Sequence, residues 1–218
     1  MPKQYDLLVF DWDGTLMDSA GTIVYAIQSA SRDVGLPVPS DDEARHIIGL
    51  GLNEAVAALF PDLAPADFDP LLDRYRYYFQ AQDKQIPLFN GVVETLDELH
   101  AAGFLLAVAT GKSRRGLDRV LEHTGTGHYF HSSRCADECF SKPHPCMLLE
   151  LMDELGVESK RTLMIGDTSH DLLMASNAGV PAVGVSYGAH PRDGLLALSP
   201  LHCAENFGEL SQWLSENA

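Results

Sequence analysis

Four short apolar runs, 5–10, 104–109, 162–165 and 182–185, limit the fold more than any other feature of this sequence. They are too short for helices. They are also too continuously apolar for strands with one wet face, so each reads as a strand buried on both faces. Between them lie segments of helical period. Val92, Val93, Leu96 and Leu99 share a face in 91–100, as do Leu117, Val120 and Leu121 in 113–123. Met147, Leu148, Leu151, Met152 and Leu155 do so in 145–155. The stretch 171–178 carries Leu172, Leu173 and Ala175, and stops at Gly179 ahead of Pro181, a helix-ending pattern. Strands alternating with helices imply parallel strands joined by crossovers, hence an α/β, doubly wound, mostly parallel sheet.

Residues 20–84 break that rhythm, because no strand pattern occurs there. Ile23, Val24, Ile27 and Val34 make one helical face, 53–60 reads as a short helix, and Leu71, Leu72, Tyr75, Tyr78 and Phe79 form an apolar stripe. Ser40 followed by Glu43 fits a capping box. The expected organisation is a core of residues 1–18 and 86–218, with an all-helical domain, 19–85, inserted after the first strand. There are no internal repeats and no low-complexity tract.

Of the 218 residues, 15 are Lys or Arg and 31 are Asp or Glu, for a formal net charge of −16. A chain this acidic repels DNA and anionic membranes unless its few cations cluster, so neither nucleic acid nor membrane is an expected partner. No apolar run approaches the length of roughly 20 residues needed to cross a bilayer. The start, Met1-Pro2-Lys3-Gln4, leads directly into a strand-like run and reads as no signal peptide, so the expectation is a cytoplasmic chain. Its four cysteines are then expected to be reduced. A zinc site could recruit His131, Cys135, Cys139 and His144, but the close Cys-x-x-Cys pair of most structural sites is missing, and packing or surface roles are the better reading.

The chemistry concentrates where strands end. Asp11-Trp12-Asp13-Gly14-Thr15 follows the first strand, and ligands of open parallel sheets bind at such carboxyl ends. Two aspartates one residue apart repel, and a divalent cation would relieve that; Mg²⁺ suits a few carboxylate oxygens. Read by itself, the stretch is equally a polar turn. Gly166-Asp167-Thr168-Ser169-His170-Asp171 repeats the acidic pattern after a later strand, with Asp171 placed to act as a favourable charge at a helix start. Thr110-Gly111-Lys112-Ser113 joins a hydroxyl, a glycine and a helix start, parts that can cradle a phosphate. Leu106 stands where a P-loop needs glycine, and Glu54 replaces the third glycine of a dinucleotide fingerprint after Gly49-Leu50-Gly51, so both nucleotide motifs are rejected. Lys142 precedes another helix; alone it reads as a solvated lysine.

In this order, the four pieces resemble the motifs of the haloacid dehalogenase superfamily of phosphohydrolases. The inserted helices are similar to the alpha-helical cap of its phosphoglycolate phosphatase and β-phosphoglucomutase branch. The resemblance implies a Rossmann-like core and a Mg²⁺-dependent phosphatase acting on a small phosphorylated metabolite. It implies Asp11 as nucleophile, forming an aspartyl-phosphate, and Asp13 as acid and base. Asp11, Asp13 through its carbonyl, and Asp167 would hold Mg²⁺; Asp171 would support them. Thr110, Gly111 and Lys142 would bind the phosphoryl group. Many relatives carry Asn where Gly111 stands, which leaves the backbone amide but removes a side-chain donor. The presence of Asp13 disfavours carbon–halogen chemistry. Sugar phosphomutase and pyrophosphatase or nucleotide phosphatase activity are the alternatives on the same scaffold. A receiver-type signalling domain is disfavoured by the long insertion. Arg45, His46 and the 49–52 loop are candidate substrate contacts from the cap, and Arg114 and Arg115 read as an exposed first helical turn.

Overall fold

The computed structural model describes residues 3–218; Met1 and Pro2, read above as the lead-in to the first strand, lie outside the described residues. Strand β1, Leu7–Phe10, is followed by four helices, α1 (Ala20–Asp33), α2 (Asp41–His46), α3 (Leu52–Leu59) and α4 (Pro65–Gln82). The chain then alternates: α5 (Val92–Ala101), β2 (Leu105–Thr110), α6 (Arg114–Thr124), β3 (Ser132–Cys135), α7 (Cys146–Leu155), β4 (Thr162–Gly166), α8 (Ser169–Ala178) and β5 (Ala182–Val185). It closes with α9 (Arg192–Leu196), β6 (Cys203–Ala204) and α10 (Phe207–Asn217).

The strands form one parallel sheet in the order β3-β2-β1-β4-β5-β6. β1 sits between β2 and β4, with Phe10 level with Val108 on one side and Ile165 on the other. This is the point where the strand order reverses direction, and in such sheets the crevice beyond it holds the ligand. The strand-to-strand register therefore brings the residues that follow β1, β2 and β4 to one edge.

Alternation along the strands divides the core. Leu8, Phe10, Leu106, Val108, Leu163 and Ile165 face α5, α6 and α10, where Leu96, Leu117 and Leu210 are buried. Leu7, Val9, Ala107 and Ala109 point the other way, onto Leu148 and Leu151 of α7 and Met174 of α8. A strand covered on both faces needs apolar residues at every position, which is why the four runs carry no alternation. β3 and β6 were not expected. β3 is an edge strand reading Ser-Ser-Arg-Cys, and β6 has two residues, so neither leaves an apolar run.

In the inserted segment, α1 and α4 pack as a pair. Ser40 caps α2, accepting the Glu43 N–H while the Glu43 carboxylate accepts the Ser40 N–H, so the capping box forms. Asp33 binds Arg74 and accepts the Tyr78 hydroxyl, tying the last residue of α1 to the middle of α4. The two connections to the rest of the chain lie side by side: Asp18 donates to the Pro87 carbonyl and Phe89 to that of Leu16, both at 3.0 Å. Among the described residues no helix is long and apolar enough to cross a membrane.

Leu8 is fully buried in the central strand. Leu8→Ala should lower stability by about 2–5 kcal/mol, the cost of a core cavity. Denaturant titration followed by circular dichroism measures it, and a midpoint equal to that of the parent protein would contradict the central placement of β1.

Candidate active site

Each strand ends in a turn that delivers a polar group to the same edge. The ladder continues one residue past β1, with the Asp11 N–H donating to the Ile165 carbonyl at 2.9 Å. Gly14 then turns the chain with φ +79°, and a Cβ there would overlap the Asp167 carboxylate. Both conditions select glycine. The turn carries Thr15 back so that its hydroxyl donates to Asp167 Oδ1 at 2.9 Å. Thr168 caps α8 and Asp171 reciprocates: the Asp171 carboxylate accepts the Thr168 N–H at 3.1 Å and its hydroxyl at 2.7 Å. Asp171 therefore acts at the helix start, in the same turn that follows β4.

The turns bring Asp11, Asp167 and Asp171 together, with one carboxylate oxygen of each within 4.8 Å of the others, and all three are buried. Lys142 enters between them from the loop after β3, and its Nζ donates to Asp11 Oδ1 at 2.8 Å and to Asp171 Oδ1 at 2.6 Å. It is buried, not the solvated lysine that its isolated reading suggested. Burial alone would lower its pKa, but Asp11 and Asp171 outweigh that and hold it above the usual lysine range. The Asp11 carboxyl is pushed up to about 7, first by burial and then by Asp171, against the opposing pull of Lys142. Burial, with Asp11 and Asp171 nearby, also holds Asp167 well above the usual carboxylate range.

Three carboxyls beside one ammonium leave an excess of negative charge out of water, a costly arrangement without a further cation. One atom marks the open side of the group: Asp11 Oδ2 is buried with no hydrogen-bond partner. The Asp167 oxygens each accept one neutral donor, Thr15 and the Ala189 N–H at 2.7 Å, and so keep lone pairs free. Both Asp171 oxygens are engaged by Lys142 and Thr168, which suits it to holding the loop. The donors are all hard oxygens, the set preferred by Mg²⁺.

Asp13 stands apart from this trio. Its Oδ1 accepts the Ser19 hydroxyl at 2.6 Å and pairs with Lys112 Nζ at 2.9 Å, leaving Oδ2 free. Lys112 also lies 4.8 Å from the ring centroid of Phe79 on α4, so one side chain joins Asp13 to the inserted helices. Thr110 is fully buried at the end of β2, its hydroxyl accepting the Lys112 N–H at 3.2 Å. Gly111 meets the insertion directly: a Cβ there would overlap the carbonyls of Gly49 and Leu50. The 49–50 loop thus lies across the site mouth, and the Gly51 N–H donates to the Ser141 hydroxyl at 2.8 Å, next to Lys142.

Ser19 and Ala189 carry no signal in the sequence, whereas Thr15 and Lys112 stand inside the Asp11–Thr15 and Thr110–Ser113 stretches without a role of their own. Arg45 and His46 line a neighbouring groove of about 1030 Å³ that includes none of Asp11, Asp13, Thr110 or Lys142. His46 presents its carbonyl to Nε2 of His170 and of His190, at 2.8 and 3.2 Å. Burial lowers the pKa of both rings, that of His190 to about 4, which keeps them neutral at this contact between insertion and core. Arg114 is held by Glu138 and Asp118, in keeping with a surface role. The four residues of the zinc reading do not gather; Cys139 instead meets Cys146 and Glu150.

A model of the haloacid dehalogenase-like hydrolases matches residues 8–185. A protein of Dickeya dadantii named "Probable phosphatase IndB" is 37% identical over 211 residues, covering 94% of this chain and 91% of that protein. A phosphoglycolate phosphatase of Agrobacterium fabrum is 33% identical over 216 residues, covering 96% and 92%. The crystal structure of a "predicted phosphoglycolate phosphatase" from Haemophilus somnus superposes with a TM-score of 0.87 at 27% identity, covering 97% of this chain and 99% of that one.

Lys142→Met leaves buried carboxylates facing one another with no ammonium between them, and removing one partner of a buried ion pair costs about 3–5 kcal/mol. A carboxyl whose folded pKa is raised, as that of Asp11 is, stabilises the fold while protonated and withdraws that stability as pH rises through about 7. Without Lys142 the withdrawal is larger. The deficit of the variant against the parent protein should therefore be greater near pH ~8 than near pH ~5 in denaturant titrations free of divalent cations. Equal deficits at both would contradict the placement of Lys142 among carboxylates.

Proposed function

Because the chain belongs to the haloacid dehalogenase-like hydrolase family, we propose that it is a Mg²⁺-dependent phosphatase that hydrolyses a small phosphomonoester through an aspartyl-phosphate on Asp11. The observation that carries this reading is the Asp11 carboxylate itself. It is fully buried, with one oxygen held by Lys142 and the other free of partners at the sheet edge. A carboxylate oriented by one oxygen and open at the other is arranged as a nucleophile.

In the first step Asp11 attacks phosphorus, and the bond from phosphorus to the alcohol oxygen breaks. The departing oxygen takes a proton from Asp13, whose Oδ2 is free because Ser19 and Lys112 both bind Oδ1. In the second step Asp13, now a carboxylate, takes a proton from water as that water attacks the phosphoaspartate. Inorganic phosphate leaves and both aspartates return to their starting forms. Lys142 neutralises charge on the phosphoryl oxygens, and the Thr110 hydroxyl with the Gly111 N–H orients them. Asp11, the Asp13 carbonyl and Asp167 would hold Mg²⁺, which supplies positive charge to the transferring group. Asp171 keeps Lys142 and the α8 turn in place.

Residues 19–85 serve as a cap over this site. The relatives named phosphoglycolate phosphatase support a short, anionic phosphomonoester of that kind as the substrate.

Asp11→Asn should reduce phosphate release from p-nitrophenyl phosphate and from 2-phosphoglycolate at least about a thousandfold, with an unchanged circular dichroism spectrum. Retained turnover in that variant would overturn the nucleophile assignment. EDTA should silence the parent enzyme and added Mg²⁺ should restore it; activity indifferent to chelation would remove the cation from the reading.

A further inference from the structure

The loop that carries Lys142 begins and ends in cysteine. Cys139 follows the turn after β3, and Cys146 is the first residue of α7. Their sulfurs lie 3.1 Å apart, inside ordinary contact and about 1 Å beyond a bond between them. Both residues are partly exposed, whereas Cys135 and Cys203 are buried, the Cys135 thiol being pushed up to about 12 by burial. Glu150 completes a group of potential metal ligands with the two thiols. Its carboxylate is already engaged: Oε2 accepts from Arg134 at 2.7 Å and Oε1 from the Cys146 thiol at 3.3 Å. A third ligand for a metal ion is therefore spoken for, while the two sulfurs need only approach each other.

We infer that Cys139 and Cys146 are an oxidation site, closed into an intrachain disulfide by a low-molecular-weight disulfide and reopened by a thiol, and that closure slows the enzyme by displacing Lys142. The Cys146 thiolate, its proton gone to solvent, attacks one sulfur of the small disulfide and expels the other half as a thiolate. Cys139, losing its proton, then attacks Cys146 Sγ and expels the second half. Two protein thiols have lost two electrons, and one small disulfide has become two thiols.

The consequence for the site comes from what the segment 139–146 holds. Lys142 is locked to Asp11 and Asp171 with no exposed surface, and Ser141 accepts the Gly51 N–H of the loop across the mouth. Closing the gap of about 1 Å between the two sulfurs pulls on both ends of this segment, and a displacement of Lys142 on that scale can cost about 100-fold in rate.

Oxidised glutathione, titrated against the reduced, full-length protein, tests this. The expected result is a peptide map, after digestion with chymotrypsin and a glutamate-specific protease that cut at Phe140 and Glu138, with one species linking the peptides of Cys139 and Cys146, two free thiols of four remaining, and a turnover loss of tenfold or more that dithiothreitol reverses. Cys139→Ser and Cys146→Ser should keep the reduced activity and resist the oxidant, with Cys139→Ala as the second variant if the serine perturbs packing. Four free thiols after oxidation, a glutathione adduct that never closes, or a bridge formed without loss of turnover would each overturn the inference. The peptide map is independent of the phosphatase reading on which the turnover measurement rests, so failure of one is distinguishable from failure of the other.

Discussion

Three buried carboxyls gather at the edge of the sheet with one lysine, bonded to two of them, and the architecture around them serves to make that tolerable. Like charges out of water raise one another's pKa, and the structure answers with donors from every neighbouring turn. Lys142 serves Asp11 and Asp171, Thr15 and the Ala189 amide serve Asp167, and the Thr168 cap serves Asp171. One oxygen, Asp11 Oδ2, is left over. A protein that satisfies every other acceptor in the group and leaves this one open has concentrated its unspent electrostatic potential on a single atom, the one assigned to bond formation.

The parallel sheet makes this concentration possible at low cost elsewhere. Because β1, β2 and β4 run in register, Asp11 arrives level with Gly166 and one residue short of the level of Thr110, without any long-range adjustment of the chain. The strands are apolar on both faces and carry the stability. The turns that follow them are free to carry polar groups. The helices inserted after β1 bury Ile23, Ile27 and Leu71 in the same cluster as Phe10 and Val108, so they extend one core layer without interrupting the sheet.

The four buried strands were legible because burial on both faces leaves an uninterrupted apolar run. β3 was not: Arg134 points to Glu150 and Glu154, so an edge strand half open to solvent reads as a polar loop. α9 and α10 lie beyond the last apolar run used to infer the alternation. At the site, the aspartates and Lys142 could be picked out because their side chains bear the chemistry and recur after strands. Their partners could not. Ala189 contributes only a main-chain N–H, which any residue but proline has, and Ser19 is one serine among many until the turn at Gly14 brings it to Asp13. Resemblance supplied an order for the motifs; the distances that turn them into a site depend on tertiary register.

The contact of Gly111 with the carbonyls of Gly49 and Leu50 gives the entrance an unusual kind of ceiling. A ceiling of side chains can reshape by changing rotamers. One made of main chain has its height fixed by bond geometry and by the length of the connection between α2 and α3. Discrimination between short and bulky molecules then becomes a property of the backbone. Altered acceptance would arise from lengthening that connection or from adding bulk at 111, with exchanges on the flanking helices having far less influence on the clearance.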